Sequence, residues 1–345
     1  MAHVGIRKLA VSALLAGWIV APSAFLGAVA PASAHSSPTT VSTARASQRQ
    51  TRAIPDTIDN PAINYYQCSP CVCWRNIDTG ATGTVYCCPN SQGTPCDYTH
   101  VLTYGIAHAT SIYAGGLTSL SIQKLNLHLQ AVATYTGIPG EPVSDFAVGK
   151  KSLVAASFGC VGSSCGDNVL TYWGGFSPTP TQTIVDGNLS SMSSLAMDNH
   201  DDVFVAGQSA ATGALEVDEV SAKSGAIKAL GVTGSVAAGL AIDNHNDLWV
   251  EDQGNGVTGT MSEYTPATGY SNPATSFAVS AGDTKIAVDA QGGEMLASNN
   301  ILDGSEYASQ MIAYQLPAGN IIATSQTTYG GESLGVSFVP RNAKK

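Results

Sequence analysis

The sequence predicts an all-β chain folded as a β-propeller of about six four-stranded blades. Three observations carry that prediction. The segment Gly239-Leu240-Ala241-Ile242-Asp243-Asn244-His245-Asn246-Asp247-Leu248-Trp249-Val250 nearly repeats Ser194-Leu195-Ala196-Met197-Asp198-Asn199-His200-Asp201-Asp202-Val203-Phe204-Val205, and Asp243 falls 45 residues after Asp198. Val220, Tyr264 and Tyr314 each stand five residues before a glycine, at 225, 269 and 319, so a second mark recurs in register with the first. The composition, 44% hydrophobic and 12% charged, suits a large β fold better than a helical one. Short strands recurring every 40 to 50 residues or so are units that cannot bury both faces alone, and stacking them creates the core.

The N-terminus is read as an export signal over residues 1–34. Arg7 and Lys8 precede an apolar stretch from Leu9 to about Val29, which leads to the small-x-small site Ala32-Ser33-Ala34. Pro22 and Pro31 interrupt or bound that stretch and no basic flank follows at once, so a permanent membrane anchor is not expected. Residues 35–57 are rich in Ser, Thr, Arg, Gln and Ala; they bury too little apolar surface to offset the entropy of ordering and read as a disordered linker. The expected location is secreted, or the exterior of the cell envelope. Removing the signal leaves 13 basic against 25 acidic side chains, a formal charge of −12. Such a surface repels phosphates, which argues against a nucleic-acid partner.

Eight cysteines in an exported chain read as disulfides. Cys160 and Cys165 lie in a Gly- and Ser-rich loop whose flexibility lets the sulfurs meet, and they are expected to pair. Closing so short a loop contributes only about 2 kcal/mol, enough to pin the loop and too little to hold up the fold. Cys68, Cys71, Cys73, Cys87, Cys88 and Cys96 crowd a Cys-rich segment, residues 58–97, and their connectivity stays open. Cys68-Ser69-Pro70-Cys71 lacks the helix that a redox dithiol uses, and the spacing of the six matches no common zinc pattern.

The propeller is placed at residues 98–340, followed by a short tail, 341–345. Its clearest blades have strands at Leu195 to Met197, Val203 to Ala206, Leu215 to Val220 and Ile227 to Leu230; at Leu240 to Ile242, Leu248 to Glu251, Met261 to Tyr264 and Ser276 to Val279; and at Ile286 to Val288, Met295 to Ala297, Met311 to Tyr314 and Ile321 to Thr324. A looser copy runs through Phe146 to Gly149, Leu153 to Ala156, Val169 to Trp173 and Thr181 to Val185, with the Cys160 to Cys165 loop inserted. Before it, Ile112 to Ala114, Leu120 to Leu125 and Leu129 to Thr134 make a fifth. Leu334 to Val339 begins another inner strand that needs partners, because its ladder groups would otherwise stay unpaired. Strands near Ile63 to Gln67, Val72 to Ile77 and Gly83 to Tyr86 would complete a sixth blade and close the ring by joining the N- and C-terminal strands. The alternative is five blades, with Leu334 to Val339 meeting Val101 to Tyr104.

Gly239-Leu240-Ala241-Ile242-Asp243, followed after a four-residue turn by Leu248-Trp249-Val250-Glu251-Asp252, resembles the NHL-repeat consensus of streptogramin-lyase-like and gluconolactonase-like propellers. The turn departs from the usual Gly-Asn, carrying Asp201-Asp202 and Asn246-Asp247 instead. The resemblance implies a propeller frame shared by enzymes, sugar binders and scaffolds. In the lactonase-like version, acidic and amide side chains at one channel mouth would hold a divalent metal, and Glu251, Asp252, Asn299, Asn300 and Asp303 are the residues at the corresponding loop ends. The Glu-Gly-Pro start of gluconolactonases and the catalytic pair of the lyase have no counterpart, so no catalytic residue is assigned.

His200 and His245 sit at equivalent positions within turns of Asp and Asn, where side-chain to backbone hydrogen bonds explain them better than ligation does. Asp198, Asn199, Asp201 and Asp202, and likewise Asp243, Asn244, Asn246 and Asp247, cluster oxygens suited to a hard cation such as calcium, but without the spacing of a calcium loop. No cofactor is therefore assigned. The sequence is read as a secreted binding or protein-interaction module for a small molecule, a glycan or a protein, with a metal-dependent hydrolase or lyase of the lactonase-like type as the alternative.

Overall fold

The repeated units emerge as antiparallel sheets that stand face to face. The computed structural model describes the backbone of residues 63–67, 71–76, 82–87 and 100–104 and, apart from short stretches, residues 111–329. The signal at 1–34, the linker at 35–57, the strand expected at 334–339 and the tail lie outside the described residues. All the described residues belong to one compact unit, Arg52–Lys345.

Among the described residues the first sheet has three strands, β1 (Ile63–Gln67), β2 (Cys71–Asn76) and β3 (Thr82–Cys87), with Cys71 opposite Cys87 in the backbone register. The second comprises β4 (His100–Tyr104), β5 (Ser111–Gly115), β6 (Ser121–Leu125) and β7 (Ala131–Thr136). The third comprises β8 (Val143–Val148), β9 (Ser152–Val161), β10 (Ser164–Gly174) and β11 (Gln182–Val185). The fourth comprises β12 (Leu189–Met197), β13 (Val203–Ser209), β14 (Leu215–Val220) and β15 (Ile227–Ala229), and a single parallel pairing, Asp167 with Ser191, links it to the third. The fifth comprises β16 (Ala237–Ile242), β17 (Leu248–Asp252), β18 (Thr258–Tyr264) and β19 (Pro273–Ser280). The sixth comprises β20 (Asp283–Val288), β21 (Glu294–Asp303), β22 (Glu306–Gln315) and β23 (Asn320–Thr324), with β24 (Thr328–Tyr329) beside β22.

One expectation changes. The second sheet begins at β4, twelve or so residues before the Ile112 strand, so residues 100–104 are its own first strand and pair with β5. They supply the fourth strand of a sheet that the sequence showed as three, and the C-terminal strand that the five-blade alternative sets beside them lies outside the described residues.

Alternation with period two explains why these apolar runs form strands buried on both faces. In β13, Val203 and Val205 pack with Ala147, Leu170 and Tyr172 of the third sheet, while Phe204 and Ala206 pack with Leu240, Leu248 and Val250 of the fifth. The same division recurs in β17, where Leu248 and Val250 face the fourth sheet and Trp249 faces Ile286, Met295 and Tyr314 of the sixth. Between the second and third sheets lie Tyr113, Ile122, Tyr135, Phe146 and Trp173. Burying each such large side chain stabilises by about 1.5–3 kcal/mol, so these intersheet cores hold the described sheets together. Of the outermost strands, β15 and β23 carry no such load and are largely exposed.

The first strands of successive sheets meet in chain order, β4 against β8, β8 against β12, β12 against β16 and β16 against β20. Lys285 of β20 then reaches back to Asp145 of β8, three sheets away, at 3.0 Å. A flat stack would keep those strands far apart, so the series curls around the line on which the pair lies.

Candidate functional site

That line is filled by a polar cluster which the sequence did not single out. Asp145 Oδ2 accepts from Ser194 Oγ at 3.0 Å and from the Leu195 amide at 2.9 Å, while Asp145 Oδ1 accepts from the Phe146 amide at 2.9 Å. Ser194 Oγ in turn accepts from the Leu240 amide, and Lys285 Nζ donates to the Ser193 carbonyl at 2.6 Å. Four first strands are thus tied together by one ion pair and its donors, with side chains only 10% and 1% exposed. A buried charge pair is costly unless its remaining valences are satisfied, and here the backbone of β12 supplies them.

Of the predicted acidic and amide residues, Glu251, Asp252 and Asn299 have described side chains. Glu251 is fully buried in β17. Its Oε2 would stand 3.0 Å from a Cβ at position 239, which helps explain a glycine there. Asp252 is a loop anchor: its carboxylate accepts from the amides of Ser235 (3.0 Å), Val236 (2.9 Å) and Gly254 (2.9 Å). Asn299 is buried in β21 and accepts from Ser280 Oγ at 3.5 Å. Asn300 lies next along β21, and Asp303 pairs with Glu306 at the end of the long β21–β22 hairpin; their side chains lie outside the described residues.

The Asp and Asn turns behave as their composition suggests. Asp198 Oδ1 accepts from the His200 and Asp202 amides, Asp243 Oδ1 from those of His245 and Asp247, and Asp289 Oδ1 from those of Gly293 and Glu294. Asp201 and Asn246 take the left-handed conformation, φ 68° and 64°, that these short polar side chains tolerate. His200 and His245 each lean on the first Asp of their own turn, at 3.1 and 3.6 Å. Asp243, His245 and Asp247 offer ligand atoms within 4.8 Å of one another, but a closed turn of this kind gathers them by itself. Burial, with Asp243 beside it, raises the Asp247 carboxyl above its ordinary range. In the other turn the oxygens diverge: Asp201 Oδ1 accepts from the Lys151 amide and Asp202 Oδ1 from the Ala222 amide.

The turns also bind one another. The Lys151 amide on Asp201 joins the third sheet to the fourth, and Asn199 Nδ2 donates to the Asn244 carbonyl and Asn246 Oδ1, joining the fourth to the fifth. On this rim, between the third and fourth sheets, a cleft of about 260 Å³ is lined by Lys151, Ser152, Tyr172, Thr181, Gln182, His200, Asp201 and Lys223. Two lysines at one cleft stand out in a chain with 15 basic side chains against 25 acidic ones. The phenol of Tyr172 is held well above its ordinary range by burial and by the charge of Asp202. Sequence reading missed the cleft because Lys151, Thr181 and Lys223 come from three separate loops.

Cys160 and Cys165 form the expected disulfide across the β9–β10 hairpin, with Cα atoms 4.0 Å apart. The other six cysteines lie where side chains are outside the described residues.

No protein-family model matches the chain, and no curated protein matches it. Among solved structures, it is similar to Kuenenia stuttgartiensis hydrazine synthase at 9% identity, over 70% of this chain and 69% of that one, with a TM-score of 0.49. It is also similar to the Dos1 propeller at 8% identity, over 76% of this chain and 78% of that one, with a TM-score of 0.45. Nothing about activity passes across likenesses this distant.

Proposed function

We propose that the chain is an exported binding module, a closed six-bladed propeller of the NHL-like kind that holds a ligand on the rim where its turns interlock. The observation that supports this reading is the cleft between Lys151 and Lys223. Its donors and acceptors, two ammonium groups, the His200 imidazole, Thr181, Gln182 and the Asp201 carboxylate, suit a polyhydroxylated ligand bearing a carboxylate, such as an acidic saccharide. The lactonase-like alternative draws less support, because Asp252 is committed to three backbone amides and Glu251 lies fully buried within the sheet.

The test is an array of neutral and uronic-acid-containing saccharides probed with the mature protein, repeated with the Lys151→Gln, Lys223→Gln double variant. Binding of the acidic members that falls at least tenfold in the variant supports the proposal. Lactone hydrolysis by the purified protein that stops on adding a chelator would overturn it in favour of the enzyme.

A further inference from the structure

Asp186, just after β11, and Asp218, in the middle of β14, are both fully buried at the joint between the third and fourth sheets. Each carboxylate uses one oxygen conventionally. Asp186 Oδ1 accepts from the Asn188 amide at 3.0 Å, and Asp218 Oδ2 accepts from Asn188 Nδ2 at 2.9 Å. The other two oxygens, Asp186 Oδ2 and Asp218 Oδ1, are sealed from solvent and have no hydrogen-bond donor. The two side chains are in hydrogen-bonding contact with each other, and Glu216, two positions along β14 on the same face, adds a third negative charge. Among the described residues no lysine, arginine or histidine forms an ion pair with any of the three.

Two bare carboxylates in contact cannot remain ionised in the interior of a protein. Either a proton held between the two or a cation placed against them balances the charge. The surrounding loop is held in place by Asn168: its Nδ2 donates to the carbonyls of Asp186 (2.6 Å) and Leu189 (3.0 Å), and the Asp186 amide returns a bond to the Asn168 carbonyl at 3.0 Å. At Gly187, between Asp186 and Asn188, an added Cβ would meet nothing within 4 Å, so the outer side of the loop is open. Hard carboxylate oxygens on a rigid frame are the donor set of calcium rather than of a thiolate- or imidazole-seeking metal.

We propose that Asp186 and Asp218, assisted by Glu216, bind a divalent cation of the calcium type that clamps the third sheet to the fourth. Neither the interlocked turns nor the cleft at Lys151 takes part in this site, so the inference stands apart from the proposed binding function.

The experiment uses the mature chain, stripped with a chelator and exchanged into metal-free buffer at pH 8. Thermal unfolding is followed on adding calcium chloride, with sodium chloride at matched ionic strength as control. A calcium-dependent rise of several degrees in the wild-type midpoint, lost in Asp218→Asn and kept in Asp243→Asn, supports the site. Terbium luminescence of the wild type, displaced by calcium, gives a second reading if the Asp218→Asn variant fails to fold. No calcium response in the wild type overturns the proposal. A response that disappears with Asp243 instead of Asp218 also overturns it, by moving the ion to the turn. So does an Asp218→Asn variant that melts higher than the wild type with and without calcium, because the pair then only shares a proton.

Discussion

Replacing Lys285 by Met tests the most informative contact in the molecule, the ion pair that joins strands three sheets apart. The substitution keeps much of the aliphatic stem and removes the ammonium that lies 3.0 Å from Asp145 Oδ2. Breaking a buried pair from one side usually costs about 3–5 kcal/mol, because the surviving charge stays desolvated. Asp145 retains the donors Phe146 N, Ser194 Oγ and Leu195 N, which offset part of that cost, so about 3 kcal/mol is expected. For a chain of this size that lowers the thermal midpoint by roughly 5–10 °C. Asp145→Asn should cost at least as much, since the ammonium then keeps the Ser193 carbonyl as its principal partner. The double variant should be less destabilised than the two single costs combined, by about 2 kcal/mol of coupling. Urea unfolding followed by tryptophan fluorescence measures all three. Strict additivity, or a loss below about 1 kcal/mol for Lys285→Met, would show that the pair does not form and would remove the argument that the sheets curl around it.

Three further expectations are open to measurement. In metal-free protein Asp218 is pushed up to about 7 by burial, with the charges of Asp186 and Glu216 adding to the effect. An acid whose folded pKa exceeds its unfolded value of about 4 contributes full stability below that value and loses it as pH rises through the folded pKa. Unfolding free energies from urea titrations in chelator should therefore fall between about pH 4 and pH 7 by on the order of 3 kcal/mol, and Asp218→Asn should flatten that slope; an equal slope in the variant would locate the effect elsewhere. Cys160→Ser should cost only about 2 kcal/mol and leave the circular dichroism of the sheets unchanged, whereas a global loss of structure would make the bridge a foundation of the fold. Asp243→Ala deprives the His245 and Asp247 amides of their acceptor, so a loss of about 1–2 kcal/mol is expected in chemical unfolding; no loss would mean the turn closes without its side chain.

Much of the fold could be read directly because its repeats carry their own punctuation. The apolar pairs Val203-Phe204 and Leu248-Trp249 follow Asp-rich turns at matching distances, and the glycines at 225, 269 and 319 all take positive φ, between 61° and 71°, as turn positions should. β12 begins at Leu189, well before Leu195, because bulges let Ser191 and Ser194 pair along β13 despite their polarity. β4 was named only as a partner of the C-terminal strand in the five-blade alternative, because His100-Val101-Leu102-Thr103-Tyr104 is followed by no Asp-Asn turn to mark it as the first strand of its sheet. The sites were far less legible. Asp145 and Lys285 are 140 residues apart and meet only because the intervening sheets bring them round. Asp186 reads as an ordinary loop residue, and only the register of β14 brings it together with Asp218. Asp252, which looked chemical in the sequence, accepts from three loop amides, since a carboxylate near free amides is satisfied locally first.

The division of each strand between two cores constrains how the chain can vary. Deleting one residue inside Val203–Ser209 would exchange the partners of every side chain beyond the cut, turning Phe204-type rings toward a space shaped for valine and the reverse. A length change is therefore best accommodated beyond the ends of strands or at a bulge, and the disulfide-bridged tip of the β9–β10 hairpin is such a place.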